Sequence, residues 1–260
     1  MWVTTRDTKL DPWSTPVNLG PVVNTSSYEL EPSISTDGLS LYFCSNRSDG
    51  FGGMDIWVTT RKTTNSDWNT PVNLGSTVNR PYDDAEPSIS FDGQTLFFDS
   101  DRPGGLGDFD LYMTTRATID SDWTQPVNVG PEVNSTDLDK SPSISSDGLA
   151  LCFHSGRLGP HDLWMTTRPT IFDPWKPAVQ LGPSVDSPAH DVTPDISFDG
   201  RVLFYQSQRS EGFGNYDLWQ APIMPIIDLN RDGIVDAEDL CILVDNWGTD
   251  NKLCDVGPMP

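Results

Sequence analysis

The 260 residues carry 16 basic against 38 acidic side chains, a net charge of -22, with 36% hydrophobic content. That is enough apolar material for one large all-β domain or two ordinary ones, while the acidic balance disfavours nucleic acid, whose phosphates such a field repels. No span approaches the roughly eighteen apolar residues of a membrane helix, so no transmembrane segment is expected, and the surplus of carboxylates suits a chain that holds divalent cations.

The chain opens in mid-pattern, with "WVTTR" and "PVNLG" inside residues 2–20. Both recur downstream, after "EPSISTDGLSLYFCSNRSDGFGGMDIWVTTR", "EPSISFDGQTLFFDSDRPGGLGDFDLYMTTR" and "SPSISSDGLALCFHSGRLGPHDLWMTTR"; "TPDISFDGRVLFYQSQRSEGFGNYDLWQAP" repeats only the first part. The prolines that head these units, Pro32, Pro87, Pro142 and Pro194, are 55, 55 and 52 residues apart. Such a period defines a repeat architecture. Each unit divides into four strand candidates, A to D: "PSIS", an aromatic-rich run such as "LFFDS", "DIWVTTR" or its equivalent, and "PVNLG". The Asp-Gly pairs Asp37-Gly38, Asp92-Gly93, Asp147-Gly148 and Asp199-Gly200 supply the positive backbone angles of a tight turn between A and B. Four short antiparallel strands per fifty-odd residues predict a β-propeller of four-stranded antiparallel blades, all-β, with about four blades present.

These motifs resemble the TolB-like, WD-repeat-like propeller repeat, in which a proline-led inner strand ends in Ser-x-Asp-Gly, the next ends near Ser-x-Arg, and a third opens with Asp-[Ile/Leu]-aromatic. The resemblance covers residues 1–223. Residues 2–19 offer only C and D strands and residues 194–221 only A, B and C. The expectation is therefore a fragment cut at both ends, an intact ring of five or more blades, and partial closure by pairing of the first D-like strand with the last blade.

Within the units, Arg47, Arg102, Arg157 and Arg209 stand eight residues, or five in the third unit, before Asp55, Asp110, Asp162 and Asp217, so an ion pair across each B–C loop is expected. Trp57, Tyr112, Trp164 and Trp219 are expected to pack between blades. Positions that differ between blades carry the functional expectation: Cys44, Asp99, His154 and Gln206 before the B-strand serine, and Glu31, Glu86, Ser141 and Thr193 before the proline. With Asp83, Asp84, Asp137, Asp139, His190 and Asp191 they would form an acidic funnel for a cation or a neutral, hydroxyl-rich ligand such as a glycan. Asp84, Glu86, Asp99, His154 and Asp191 are the ligand-binding candidates. Paired carboxylates with a histidine leave acid–base chemistry open. No catalytic residue is assigned, because no HExxH, GxSxG, phosphate-loop or dinucleotide fingerprint occurs.

After a proline-containing linker, "APIMPI", the stretch "DLNRDGIVDAEDL" fits a calcium loop. Asp228, Asn230 and Asp232 take positions 1, 3 and 5, Gly233 the tight turn, Ile234 a backbone carbonyl ligand, and Asp236 and Asp239 positions 9 and 12. Leu240, Leu243, Val244 and Trp247 at helical spacing predict a helix leaving the loop. The segment 224–260 resembles a dockerin type I repeat, an EF-hand-like module usually carrying two loops, of which one is present. The resemblance implies bound Ca2+ and a cohesin-like protein partner. Among the four cysteines no CxxC spacing suggests zinc, and Cys241 with Cys254 leaves both a bond and free thiols open. Together these features predict an extracytoplasmic binding or scaffold protein, extracellular or periplasmic or at the cell surface, whose signal peptide is not in the chain. The alternatives are a carbohydrate-active enzyme, a lyase or glycosidase-like propeller, and a calcium loop that only stabilises the end of the chain.

Overall fold

The computed structural model describes residues 1–223 apart from Lys9 and Ser184; the predicted calcium loop, its ligands, Cys241 and Cys254 lie outside them. All regular structure among the described residues is strand. The first sheet holds only β1 (Trp2–Val3) and β2 (Val17–Asn18). Blade I follows as β3 (Glu29–Ile34), β4 (Ser40–Ser45), β5 (Asp55–Thr60) and β6 (Val72–Asn73). Blade II comprises β7 (Asp84–Ile89), β8 (Thr95–Ser100), β9 (Asp110–Thr115) and β10 (Val127–Asn128). Blade III comprises β11 (Asp139–Ile144), β12 (Ala150–Ser155), β13 (Asp162–Thr167) and β14 (Val179–Gln180). Blade IV has three strands, β15 (Asp191–Ile196), β16 (Val202–Ser207) and β17 (Asp217–Pro222). Each sheet is an antiparallel meander, and β3, β7, β11 and β15 are the inner strands that face one another around an axis. This is the β-propeller expected from the repeat.

The expected closure does not form: β2 pairs only with β1, and no described strand adds to β17. The half-blade instead packs outward, placing Met1 and Leu19 against Leu41, Phe43 and Trp57 of blade I. No described helix is long and apolar enough to cross a membrane.

The core lies between blades because the B strands are buried on both faces. Alternation sends Leu96 and Phe98 toward Tyr42 and Ile56 of blade I, and Phe97 toward Ile144, Leu151 and Phe153 of blade III. Inner strands are tied by side-chain hydroxyls: Ile89 N–H donates to Ser33 Oγ at 3.1 Å, Ile144 to Ser88 at 3.1 Å and Ile196 to Ser143 at 2.9 Å.

The Asp-Gly turns form, with the glycine alone at positive φ, +70° at Gly38. Gly38 N–H closes the turn onto Ser35 O at 2.8 Å, and Asp37 accepts the Ser35 hydroxyl and Leu39 N–H. A third strand braces this turn, since Arg61 Nε donates to Gly38 O at 2.7 Å while its guanidinium lies 4.3 Å over the Trp68 ring. Arg116 over Trp123 and Arg168 over Trp175 repeat the device.

The B-strand arginines are paired differently from expectation. Arg47 reaches Glu29 at 3.1 Å and Arg209 reaches Asp191 at 2.8 Å, while Arg102 and Arg157 pair with Asp84 and Asp139, all inner-strand acids of the same blade. Each guanidinium also donates Nε–H to the B-strand serine and lies over Trp57, Tyr112, Trp164 or Trp219. Asp55, Asp110 and Asp217 serve the loop backbone instead, accepting N–H groups such as Phe51 and Gly52, which lack strand partners.

Candidate functional site

Every inner strand has the same irregularity. The residue before the proline is normally extended, yet Glu31, Glu86, Ser141 and Thr193 hold φ of 49°, 53°, 53° and 48°. Pairing with the B strand shifts register at the same place in each blade. Left-handed backbone costs a non-glycine residue about 1–3 kcal/mol and persists only where the surroundings enforce it. Here it lets ring-equivalent residues of adjacent blades meet at one end of the axis.

The meeting is densest between blades II and III. Lys140, from β11, places Nζ 3.3 Å from Glu86 Oε1 and 3.6 Å from Asp99 Oδ1, and 4.1 Å from the centre of the Phe109 ring. Ser141 Oγ donates to Glu86 Oε2, and Ser141 N–H donates to Asp99 Oδ2 at 3.2 Å. His154, facing blade IV, accepts Thr193 N–H on Nδ1 at 3.5 Å and stacks on His161 at 5.6 Å, which meets His190 edge-on at 4.9 Å. All three histidines of the chain thus gather beside the acidic pair. Among the described residues two buried oxygens of the cluster lack a hydrogen-bond partner, Thr193 Oγ1 and Asp99 Oδ1, the latter meeting the Lys140 ammonium at 3.6 Å.

These neighbours drive the protonation states apart. Burial, and then the charge of Glu86, raise Glu31 to about 7. At Glu86 burial is outweighed chiefly by the Lys140 ammonium and the Ser141 hydrogen bond, which hold it below the usual carboxylate value. Burial and the Glu86 charge push Asp99 well up, and burial lowers His154 to about 4, leaving a neutral imidazole. Burial likewise raises the Cys44 thiol, keeping it protonated. At neutral pH the Glu86 carboxylate therefore faces the Lys140 ammonium, with Glu31 close to its midpoint and neutral hydroxyl and imidazole groups around them.

Three of the five sequence-predicted ligand residues, Glu86, Asp99 and His154, come together here. Asp84 and Asp191 lie elsewhere, buried against Arg102 and Arg209 and capping backbone amides of Arg80 and Ser187. Asp139 is engaged in the same way by Arg157, so much of the anticipated acidic rim is consumed by structural pairs. The calcium-loop ligands Asp228, Asn230, Asp232, Ile234, Asp236 and Asp239 lie outside the described residues. Among the described residues no group of His, Cys, Asp and Glu is arranged to hold a metal. Sequence reasoning missed Lys140. The signal was available, because the corresponding residues of the other blades are Leu30, Ala85 and Val192, and a lysine there interrupts an apolar position.

The sequence matches no protein-family model and no curated protein. Solved structures share its architecture. TolB from Acinetobacter baumannii superposes with a TM-score of 0.54 at 17% identity, covering 85% of this chain and 46% of that one. A putative TolB from Agrobacterium tumefaciens gives 0.51 at 19% identity, covering 74% and 61%. The chain has a TolB-like propeller fold. It spans about half of the first TolB chain and under two thirds of the second. A GH43 endo-arabinanase from Bacillus licheniformis gives 0.54 at 12% identity and 81% of both chains. At such identities the likeness is one of fold, and the TolB-like propeller has to be read from its own side chains.

Proposed function

We propose that this chain is an extracytoplasmic binding protein whose propeller holds a neutral, hydroxyl-rich ligand, such as a sugar residue of a glycan, at the Glu86–Asp99–Lys140 cluster. The observation that carries the reading is the internal ammonium. Lys140 already supplies the counter-charge to the carboxyl pair, so a ligand cation would compete with it, while an anion would meet Glu86 and the acidic field. Hydroxyls suit the groups that remain, the Glu86 carboxylate with the Ser141 and Thr193 hydroxyls and the His154 imidazole. The C-terminal segment extends this reading. Its calcium loop, with Asp228, Asn230, Asp232, Ile234, Asp236 and Asp239 as ligands, would dock the propeller to a cohesin-like protein.

Glycan-array screening followed by calorimetry tests the propeller. A neutral oligosaccharide should bind, and Glu86→Gln should weaken it at least tenfold; a panel without saccharide binding, or an unaffected variant, would refute the proposal. Calcium titration tests the tail: Asp228→Ala should abolish the tight event, and chelator should release a cohesin-type partner in a pull-down. Stabilisation by calcium without capture would leave the loop a structural device.

One observation favours a second reading, a carbohydrate-active enzyme. Glu31 near 7 and Glu86 below its usual range form a pair of carboxyls pushed apart, the pattern of a general acid beside a base. Turnover of a polysaccharide panel, lost in both Glu31→Gln and Glu86→Gln, would establish it over simple binding.

A further inference from the structure

The opposite end of the axis carries a second feature. Beyond the bulges, the four inner strands line a solvent-open cavity of about 290 Å³. Its walls include ring-equivalent Ser33, Ser88 and Ser143, but the fourth position is Asp195. The three serines each accept an isoleucine N–H from the next blade. Asp195 stands in the last described blade, and no described strand follows to present an amide to it. Its one hydrogen-bond partner among the described residues is Ser143 Oγ at 3.3 Å, and no basic side chain pairs with it there. Surrounding protein crowds this carboxyl enough to raise its pKa, yet its surface opens onto the cavity.

Aromatic rings complete the setting. Phe91 and Phe198 both line the cavity from the A–B turns of blades II and IV, with ring centroids 5.3 Å apart. They are 51% and 62% exposed, large apolar surfaces presented at the rim rather than packed in the core. The isoleucines next to Ser33, Ser88, Ser143 and Asp195 supply apolar wall. A carboxylate lacking a counter-ion, hydroxyls still able to accept a hydrogen bond, and ring faces together favour a cation with an apolar body. The volume lies at the small end of the range for ligand cavities, roughly 300–1,000 Å³.

We propose that this end of the axis binds a primary alkyl- or arylalkylammonium, its nitrogen on Asp195 and Ser143 and its apolar body beneath Phe91 and Phe198. The site is separate from the Glu86–Asp99–Lys140 cluster and does not depend on it.

Calorimetric titration of the full chain with 2-phenylethylamine, beside the uncharged isostere 2-phenylethanol, tests the proposal. Saturable 1:1 binding of the amine is expected, with the alcohol at least tenfold weaker. Asp195→Ser installs the residue that the other three blades already carry, and Asp195→Asn removes the charge at nearly constant shape. Either should weaken the amine at least tenfold while the thermal melt confirms folding. No saturable binding, equal binding of amine and alcohol, or unchanged binding in both variants would overturn the assignment; the last would identify adsorption by the overall negative field.

Discussion

The arginine belt and the axial ring are built from the same repeat and behave oppositely. In the belt, Arg47, Arg102, Arg157 and Arg209 find the same partners in every blade: an inner-strand acid, a B-strand serine, the carbonyl of Val23, Val78, Val133 or Val185, and an aromatic face. Around the axis Glu31, Glu86, Ser141 and Thr193 are joined by Cys44, Asp99, His154 and Gln206 in turn, and no two blades present the same pair of groups. Identical neighbours mark a structural requirement that every blade shares. Different neighbours on an identical backbone mark a place where packing leaves residue choice open, and there the chemistry collects.

That contrast can be broken in stages, and the largest effect is expected in the belt. Arg102→Ala strands the fully buried Asp84 without its cation, so urea denaturation should show a loss of about 3–5 kcal/mol, with no dependence on any ligand. Lys140→Met tests the axis. It removes the ammonium from Glu86 and Asp99 and should cost about 2–4 kcal/mol near neutral pH. The Lys140→Met deficit should shrink as pH falls and Glu86 takes up a proton. A deficit constant with pH would show that Lys140 serves by packing alone.

A smaller effect sharpens the comparison inside blade III. Asn79 and Asn134 each bridge a C-strand residue, accepting its N–H and donating to its carbonyl, as between Asn79 and Ile56 at 2.9 and 3.0 Å. Asp186 occupies that place for Leu163, accepts the N–H at 2.8 Å, and leaves Oδ2 buried without a partner. Burial raises its carboxyl to about 7, with the charges of Asp162 and Asp191 acting the same way and the Leu163 hydrogen bond and Arg209 opposing. A folded-state pKa above the unfolded value means stability is full at acid pH and is lost between about 4 and the folded value near 7. Asp186→Asn restores the donor and carries no charge. Its gain over wild type in thermal melts should therefore grow across that interval and level off above it, reaching about 1–2 kcal/mol. A gain independent of pH would assign the benefit to packing.

Much of this was legible because each signal was repeated. Asp-Gly turns, proline-led strands and aromatic B strands recur often enough to establish the blades, and Glu86, Asp99 and His154 stood out as positions where blades disagree. Lys140 escaped because it stands one residue before the varying position that Glu31, Glu86, Ser141 and Thr193 occupy. The arginine partners were misassigned because nearness in sequence favoured Asp55 and its equivalents, whereas loop amides without strand partners claim those carboxylates.

By itself the sequence determined the blade, its strand order, and which positions vary around the axis, since these follow from local turn chemistry and side-chain alternation. Only the tertiary structure decided which charges meet. A bulge that holds four non-glycine residues at positive φ brings Lys140 of one blade to Glu86 and Asp99 of the blade before it, and leaves Asp195 facing a cavity. Distances between blades depend on how sheets pack around an axis, and that packing has no counterpart in the spacing along the chain.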